Sequence, residues 1–178
     1  DVYSYDIASS YPTQQLTKKF PMKPFKWVNL EGRTAAQRIQ RVFNFIGLGY
    51  AVCGTYQFKD LKLKNSRDPM PYISLSKCDV DYTKDYTLDN GRILSADYIE
   101  IYLTEVDLEI IAEQYDFGKH ICVEVHAAYK DYLPKWFTDY VFKCYQDKCE
   151  LKDGDPVLYS IAKSKLNALY GMTVQKPV

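Results

Sequence analysis

The sequence predicts an α+β fold, and three observations carry that prediction. From 49 to 64 the apolar residues Val52, Tyr56, Phe58, Leu61 and Leu63 switch to a period near two, the mark of strands. Within 82–103, Asp89-Asn90-Gly91 interrupts β-prone sequence with a tight turn that needs positive φ, and the returning segment alternates cleanly. Elsewhere, capping residues at Thr34, Thr104 and Asp155 each open a stretch with helical spacing of its apolar residues.

The first residues read D-V-Y-S-Y-D-I-A-S-S-Y-P. The run through Ile7 is β-prone, and Ser9, Ser10 and Pro12 read as a turn into a helix start. Asp6 then stands at a strand end beside free backbone N–H groups. A carboxylate so placed can hold a divalent cation, while the N–H groups hold the phosphates that the cation binds. A short helix is predicted over 13–19. After it, Lys18, Lys19, Lys23, Lys26 and Arg33 interleave with Phe20, Phe25 and Trp27. That composition could grip a phosphate backbone and stack on bases, and it equally suits a solvated, Pro-rich connection.

Thr34 and Gln37 form a capping box for a helix with Ile39, Val42, Phe43 and Ile46 on its apolar stripe and Gly47 at its end. Strands follow to Lys64, then a turn at Asp68-Pro69-Met70-Pro71 and a further strand over 72–76. Beyond the hairpin, Thr104 and Asp107 cap a helix that turns Val106, Ile110, Ile111 and Tyr115 inward and stops at Gly118. A strand over 120–129 carries His120 and His126. Their parity puts them on one face but about 20 Å apart at about 3.3 Å per residue, too far to share a metal. Pro134 starts a helix with Trp136, Phe137, Tyr140, Val141 and Cys144 on its apolar side, and 148–154 is a charged link.

The last helix, 155–171, organises the chain. Asp155 suits the N-cap, Pro156 the first helical position and Gly171 a left-handed residue past the end. Val157, Leu158, Ile161, Ala162, Leu166 and Leu169 share the arc expected to be buried. Lys163, Asn167 and Tyr170 form a second stripe within roughly 60° of one another, which puts a cation, an amide and a phenol side by side. A wet face on an ordinary amphipathic helix carries the same residue types.

The 178 residues can bury a real core. Seventeen Tyr suit an amphipathic surface as well as a core. Lys+Arg 23 against Asp+Glu 23 leaves no net charge, so any nucleic-acid contact must come from local patches. The five cysteines are odd in number and lack C-x-x-C spacing, which reads as free thiols in a reducing compartment such as the cytoplasm, the host cytoplasm if the source is viral. No apolar run reaches membrane length and no signal peptide appears. The absence of an initiator Met and an opening inside a strand read as a piece of a longer protein.

Two stretches carry a resemblance. D-I-A-S-S-Y-P (6–12) resembles motif A of family B DNA polymerases, usually D-x-x-S-L-Y-P, and K-S-K-L-N-A-L-Y-G (163–171) resembles motif B, usually K-x-x-x-N-S-x-Y-G. Ser10 and Ala168 depart from the pattern, at positions usually Leu and Ser. Between them, Y-L-T-E-V-D-L-E-I-I-A-E-Q-Y-D-F (102–117) and K-W-F-T-D-Y-V (135–141) are similar to the protein-primed, phage-type branch, in which an inserted domain docks the terminal protein that primes replication.

The resemblance implies part of a palm and fingers with an inserted mixed α/β subdomain: 1–33 as the start of the palm, 34–148 as the insertion with adjoining palm elements, and 149–178 as the first fingers helix. It implies nucleotidyl transfer with two Mg²⁺ ions, Asp6 giving a shared carboxylate and the Ile7 carbonyl a further oxygen. Lys163 would meet the triphosphate, helped by N–H groups around Ser9 and Ser10. Tyr11 would exclude a 2′-hydroxyl, Asn167 and Tyr170 would line the nascent base pair, and Tyr170 and Gly171 would touch DNA. Lys152 is a candidate for a second phosphate-binding Lys. The implied partners are primer-template DNA, deoxynucleoside triphosphates and a terminal protein, which exposed charges such as Arg92 and Glu113 would help to dock. Motif C is absent from the sequence and one carboxylate cannot hold two metals, so the piece is expected to be inert alone. A different class stays open: a non-catalytic interaction module, or a polymerase relic that only docks a priming protein.

Overall fold

The computed structural model describes residues 10–65 and 70–173. The strand read through Ile7 and the turn at Asp68-Pro69 lie outside them. The fold is α+β, in two compact units: one built on a sheet, 21–130, and one of helices, 10–20 with 131–173. In chain order the elements are α1 (Ser10–Thr17), β1 (Phe20–Pro21), β2 (Lys26–Trp27), α2 (Ala35–Gly47), β3 (Tyr50–Leu63), β4 (Lys84–Asp89), β5 (Arg92–Thr104), α3 (Glu105–Gln114), β6 (Tyr115–Asp116), β7 (Lys119–Asp131), α4 (Lys135–Glu150) and α5 (Pro156–Thr173). Among the described residues no helix is long and apolar enough to cross a membrane.

The alternation over 49–64 becomes a single strand, β3, of 14 residues. Sheet order is β1-β7-β3-β5-β4, so β3 is paired along both edges, antiparallel to β5 and to β7. Its pairing with β7 carries one irregularity. Thr55 faces Glu124 and Tyr56 faces Cys122, which leaves Val123 as an extra residue on β7. Two side-chain facts make room for it. Gly54 has no Cβ, and a Cβ there would overlap the Glu124 carbonyl oxygen. Arg38 of α2 donates from Nη1 to the Cys122 and Val123 carbonyls, both at 3.3 Å, so the loosened backbone keeps its partners.

The extra residue also corrects the histidine parity. Cys122 and Val125 are both buried, an odd interval, so side chains swap faces across the bulge and His120 and His126 do not share one. His120 lies against Phe117 and Phe58, its ring 5.1 Å from the former. Burial holds its imidazole below the ordinary value.

The predicted hairpin is present: Asn90 (φ 46°) and Gly91 (φ 75°) link Asp89 to its partner Arg92, the positive-φ pair a two-residue hairpin wants. Both predicted capping boxes form. Thr34 Oγ1 accepts from the Gln37 N–H while the Gln37 side chain accepts from the Thr34 N–H, and Thr104 and Asp107 reciprocate in the same way. Asp107 also accepts from the Tyr72 hydroxyl. Burial pushes the Asp107 carboxyl up, but the hydrogen bonds from Tyr72 and Thr104 outweigh it and hold the group below its ordinary value. The same bond, with burial added, pushes Tyr72 up to about 12.

Several expectations are corrected. The strand expected over 72–76 is a single bridge at Ser74 running into a 3₁₀ turn, Leu75–Lys77; Tyr72 is held instead by side chains, its N–H by Gln114 and its carbonyl by Arg92. Arg92 is therefore half-buried rather than a free surface charge, whereas Glu113 is exposed. The end of α2 is not among them: the helix stops at Gly47 as expected, and Gly49 beyond it takes the left-handed position, at φ 82°. On α2 Val42 is buried but Phe43 is 55% exposed. On α3 Ile111 goes inward while Val106 stays out, and the helix ends at Gln114 because Tyr115 joins β6. On α4 Val141 and Cys144 are buried, and Trp136 and Tyr140 are exposed. All five cysteines are free thiols.

Buried Tyr56, Phe58, Ile93, Ile99, Ile111 and Tyr115 make the core of the sheet unit, each contributing about 1.5–3 kcal/mol through removal from water. Tyr115 completes its burial by donating from its hydroxyl to the Ile93 carbonyl at 2.8 Å.

Replacing Gly54 by Ala should cost about 1–3 kcal/mol by overpacking against β7, and Thr34→Ala about 1 kcal/mol through loss of the cap; urea unfolding of both variants measures this. Because the folded imidazole of His120 binds its proton less readily than the unfolded one, the unfolded chain takes up more protons below the ordinary value of 6.5. Stability should thus fall as pH drops through 6.5 and below, and His120→Gln should flatten that fall in thermal melts between pH 7.5 and 5.5.

Candidate functional site

The two ends of the sequence that carry chemistry-bearing residues meet in the helical unit. Its core is Val141 and Cys144 of α4 with Leu166 of α5, and Leu16, Phe137 and Leu169 pack around them. That apolar contact sets how α5 presents its other residues. Its N-terminus is fixed by Asp155, whose Oδ1 accepts from the Val157 N–H at 2.7 Å and more weakly from the Leu158 N–H at 3.4 Å.

The arc expected to be buried is buried only in its middle. Ala162 and Leu166 are covered and Leu169 is half-covered, but Val157 is 66% exposed and Leu158 and Ile161 are also open. The contact with α4 is narrow enough that one row of side chains fills it. The helix also runs on through Gly171 to Thr173, so Gly171 is a helical residue rather than a left-handed stop. Nothing within 4 Å would meet a Cβ added there.

On the second stripe Lys163 and Asn167 are exposed and Tyr170 is half-buried. Lys152 is exposed in the turn ahead of Asp155, off the stripe. From the other end of the chain, α1 begins at Ser10, earlier than the predicted 13, with Pro12 buried in its first turn where a missing N–H costs nothing. Ser10 is half-buried and Tyr11 is 57% exposed. Asp6, Ile7 and Ser9 lie outside the described residues. Among the described residues no group of three or more His, Cys, Asp or Glu could hold a metal.

The structure brings Tyr11 and Tyr170 together. Their rings stack with centroids 3.9 Å apart and planes 10° from parallel. Two residues with separate roles in the sequence thus form one contact, and their joint face is a flat aromatic surface next to the amide of the stripe. At that spacing no third ring fits between them, so a planar group could lie on the pair but not inside it.

Sequence reasoning did not single out Gln15. It stands one turn after Tyr11 on α1, is 4% exposed, and neither its amide nitrogen nor its oxygen has a hydrogen-bond partner among the described residues. Its spacing from Tyr11 was the available signal. A polar residue in a short helix is ordinarily solvated, and that masked it.

Comparison with known proteins bears on the whole chain. The sequence profile of the DNA polymerases of type B, organellar and viral, matches residues 1–178. Among solved structures, Phi29 DNA polymerase with primer-template DNA and incoming nucleotide superposes with a TM-score of 0.61 at 18% identity, over 97% of this chain and 26% of that one. The same polymerase with primer-template DNA alone gives 0.60 at 18% identity, over 97% and 25%. With single-stranded DNA it gives 0.55 at 18% identity, over 93% and 24%. The chain thus spans about a quarter of the length of these structures. No curated protein sequence matches it.

The stack makes its own test. In a double-mutant cycle of Tyr11→Leu and Tyr170→Leu, read by chemical denaturation, the two changes should couple by about 0.5–1.5 kcal/mol. A coupling near zero would mean that the rings do not stay together in solution.

Proposed function

Because the chain belongs to the type B DNA polymerases of the organellar and viral kind, we propose that it is the section of a DNA-directed DNA polymerase that runs from motif A through motif B and serves nucleotidyl transfer in protein-primed replication. The observation that carries this reading is the stack of Tyr11 on Tyr170, which joins the two motifs in one packed unit. The likeness in fold to a polymerase solved with primer-template DNA and incoming nucleotides supports it.

In this reading the stripe of α5 faces the incoming nucleotide. Lys163, exposed and on a long flexible stem, neutralises the triphosphate as a point charge. Backbone N–H groups of Ser9 and Ser10 would add donors, Ser10 being the first residue of α1. Tyr11 excludes a 2′-hydroxyl by the bulk of its ring, and Asn167 and Tyr170 line the nascent base pair, with Tyr170 and Gly171 against the DNA. Lys152 stands ready as a further phosphate contact. To admit a nucleotide the aromatic pair must part or present its outer face, so the stack sets the resting state of the pocket.

Asp6, with the Ile7 carbonyl, would hold Mg²⁺, which when bound lowers the pKa of a primer hydroxyl and steadies the leaving pyrophosphate. A single carboxylate serves two ions only in company, so the remaining acidic ligands come from elsewhere in the polymerase. The division by role is 1–33, 34–148 and 149–178, the middle part holding the insertion that docks a terminal protein together with adjoining palm elements, α4 being one that packs in the helical unit. Support for that role is the separate compactness of the sheet unit, with its own core, caps and hairpin.

Three variants of the full-length polymerase test the reading. Asp6→Asn should abolish incorporation and leave DNA binding nearly intact, and near-normal incorporation would remove Asp6 from the mechanism. Lys163→Ala should raise the nucleotide KM by roughly ten- to a hundredfold, the worth of a charge-assisted contact of about 1.5–3 kcal/mol, at little cost in stability. Tyr11→Val should raise ribonucleotide use relative to deoxyribonucleotide use. For the insertion, Glu113→Lys should weaken initiation on the terminal protein and spare extension of a DNA primer; equal loss of both would point to a DNA-guiding role instead.

A further inference from the structure

Above the buried face of β3, between α2 and α3, lies a cavity of about 190 Å³. Ile39 and Val42 of α2, Phe58 of β3, and Leu108 and Ile111 of α3 line its apolar part. An apolar enclosure of this kind stays dry, and one of roughly 150 Å³ lined by Leu, Ile and Phe is already large enough for benzene.

The polar groups at its edge are taken up or neutral. Glu105 accepts from the Lys130 ammonium at 3.1 Å and from the Val52 N–H at 2.8 Å, so its carboxylate is doubly satisfied. The Lys64 ammonium nearby donates to the Ala112 carbonyl at 2.8 Å. His120 is edge-on to Phe117 at 5.1 Å, and burial lowers its readiness to take a proton. The Tyr56 hydroxyl is fully buried, and burial pushes it up, beside the Cys122 thiol. Glu109 stands exposed at the mouth, in contact with water. The buried Tyr56 hydroxyl has no hydrogen-bond partner among the described residues, but it is a single neutral group. A ligand's charged group would have to give up its hydration inside without gaining a free charged partner, at a cost that rejects it.

We infer that the space between α2 and α3 is a binding site for a small, uncharged, single-ring aromatic group, seated among Ile39, Val42, Phe58, Leu108 and Ile111. The site lies in the sheet unit and stands independently of the polymerase reading. Phe43, half-exposed at the mouth, offers a ring against which the outer edge of such a ligand can pack.

Toluene, benzoate and benzylamine, titrated into the methyl-labelled 178-residue chain and followed by NMR, discriminate by charge at nearly constant shape. Toluene should give saturable shifts confined to the methyls of Ile39, Val42, Leu108 and Ile111, with benzoate and benzylamine weaker by about tenfold or more. Leu108→Phe should fill the space and abolish the toluene response. Should that variant fold poorly, Ala112→Leu, which narrows the cavity from an exposed position, should lower toluene affinity with unchanged circular dichroism. Shifts that fail to saturate or spread over the surface would overturn the inference. So would toluene binding unaffected in a folded variant, or benzylamine binding as tightly as toluene, which would make the carboxylate at the mouth the true determinant.

Discussion

A strand paired on both edges has nowhere to put an irregularity except into a neighbour, and β3 is such a strand. Its pairing with β5 runs in one register from Cys53 to Lys62 apart from a skipped residue at Asp60, which takes positive φ (54°). The slack therefore falls on β7, where Val123 bulges out. The fit of the sheet unit depends on this place. Gly54 lets the two backbones approach, and Arg38 reaches from α2 to the freed carbonyls, which ties a helix to the sheet by a charge-assisted contact as well as by its apolar stripe. The space between α2 and α3 is bounded on one side by a helix so fixed, which is why it can persist as a cavity instead of collapsing.

The helical unit solves a different problem. A helix that presents a cation, an amide and a phenol on one side needs its other side held, but only enough to fix rotation about its own axis. Val141, Cys144 and Leu166 do this with one narrow seam, and Asp155 fixes the start. The exposed apolar residues near its beginning, Val157, Leu158 and Ile161, are the counterpart of so narrow a seam. A helix held along one row of side chains keeps freedom to rock about that row.

What could be read from the residues was whatever is decided within a few positions. The Asn90-Gly91 turn and the Thr34 and Thr104 boxes are local chemistry, and each is found as written. The end of the last helix was less legible, because Gly171 permits a left-handed residue without requiring one, and α5 runs on through it to Thr173, whereas α2 does end at Gly47. Inward faces were over-read at Phe43, Val106 and Trp136, since periodicity tells which side is apolar and not how wide the partner is. The histidine parity failed for a reason no local pattern shows: the bulge follows from how two distant strands fit. In the candidate site the stripe of α5 was legible, whereas the meeting of Tyr11 with Tyr170, about 160 positions apart in the sequence, came only with the fold.

The outer strand of the sheet has a bearing on how the chain behaves in concentrated solution. β4 ends the sheet order, and each of its six residues is exposed, Tyr86 and Leu88 among them. A row of unpaired peptide groups flanked by apolar rings is a template on which another chain could lay down a strand. Lys84, Asp85 and Asp89 put charges along that row, and Asp85, at φ 49°, bends it out of the straight line that stacking would need. Protection of this edge against strand addition thus rests on three charged side chains and one kink, so pairing at the edge would respond to salt and to neutralisation of Asp85.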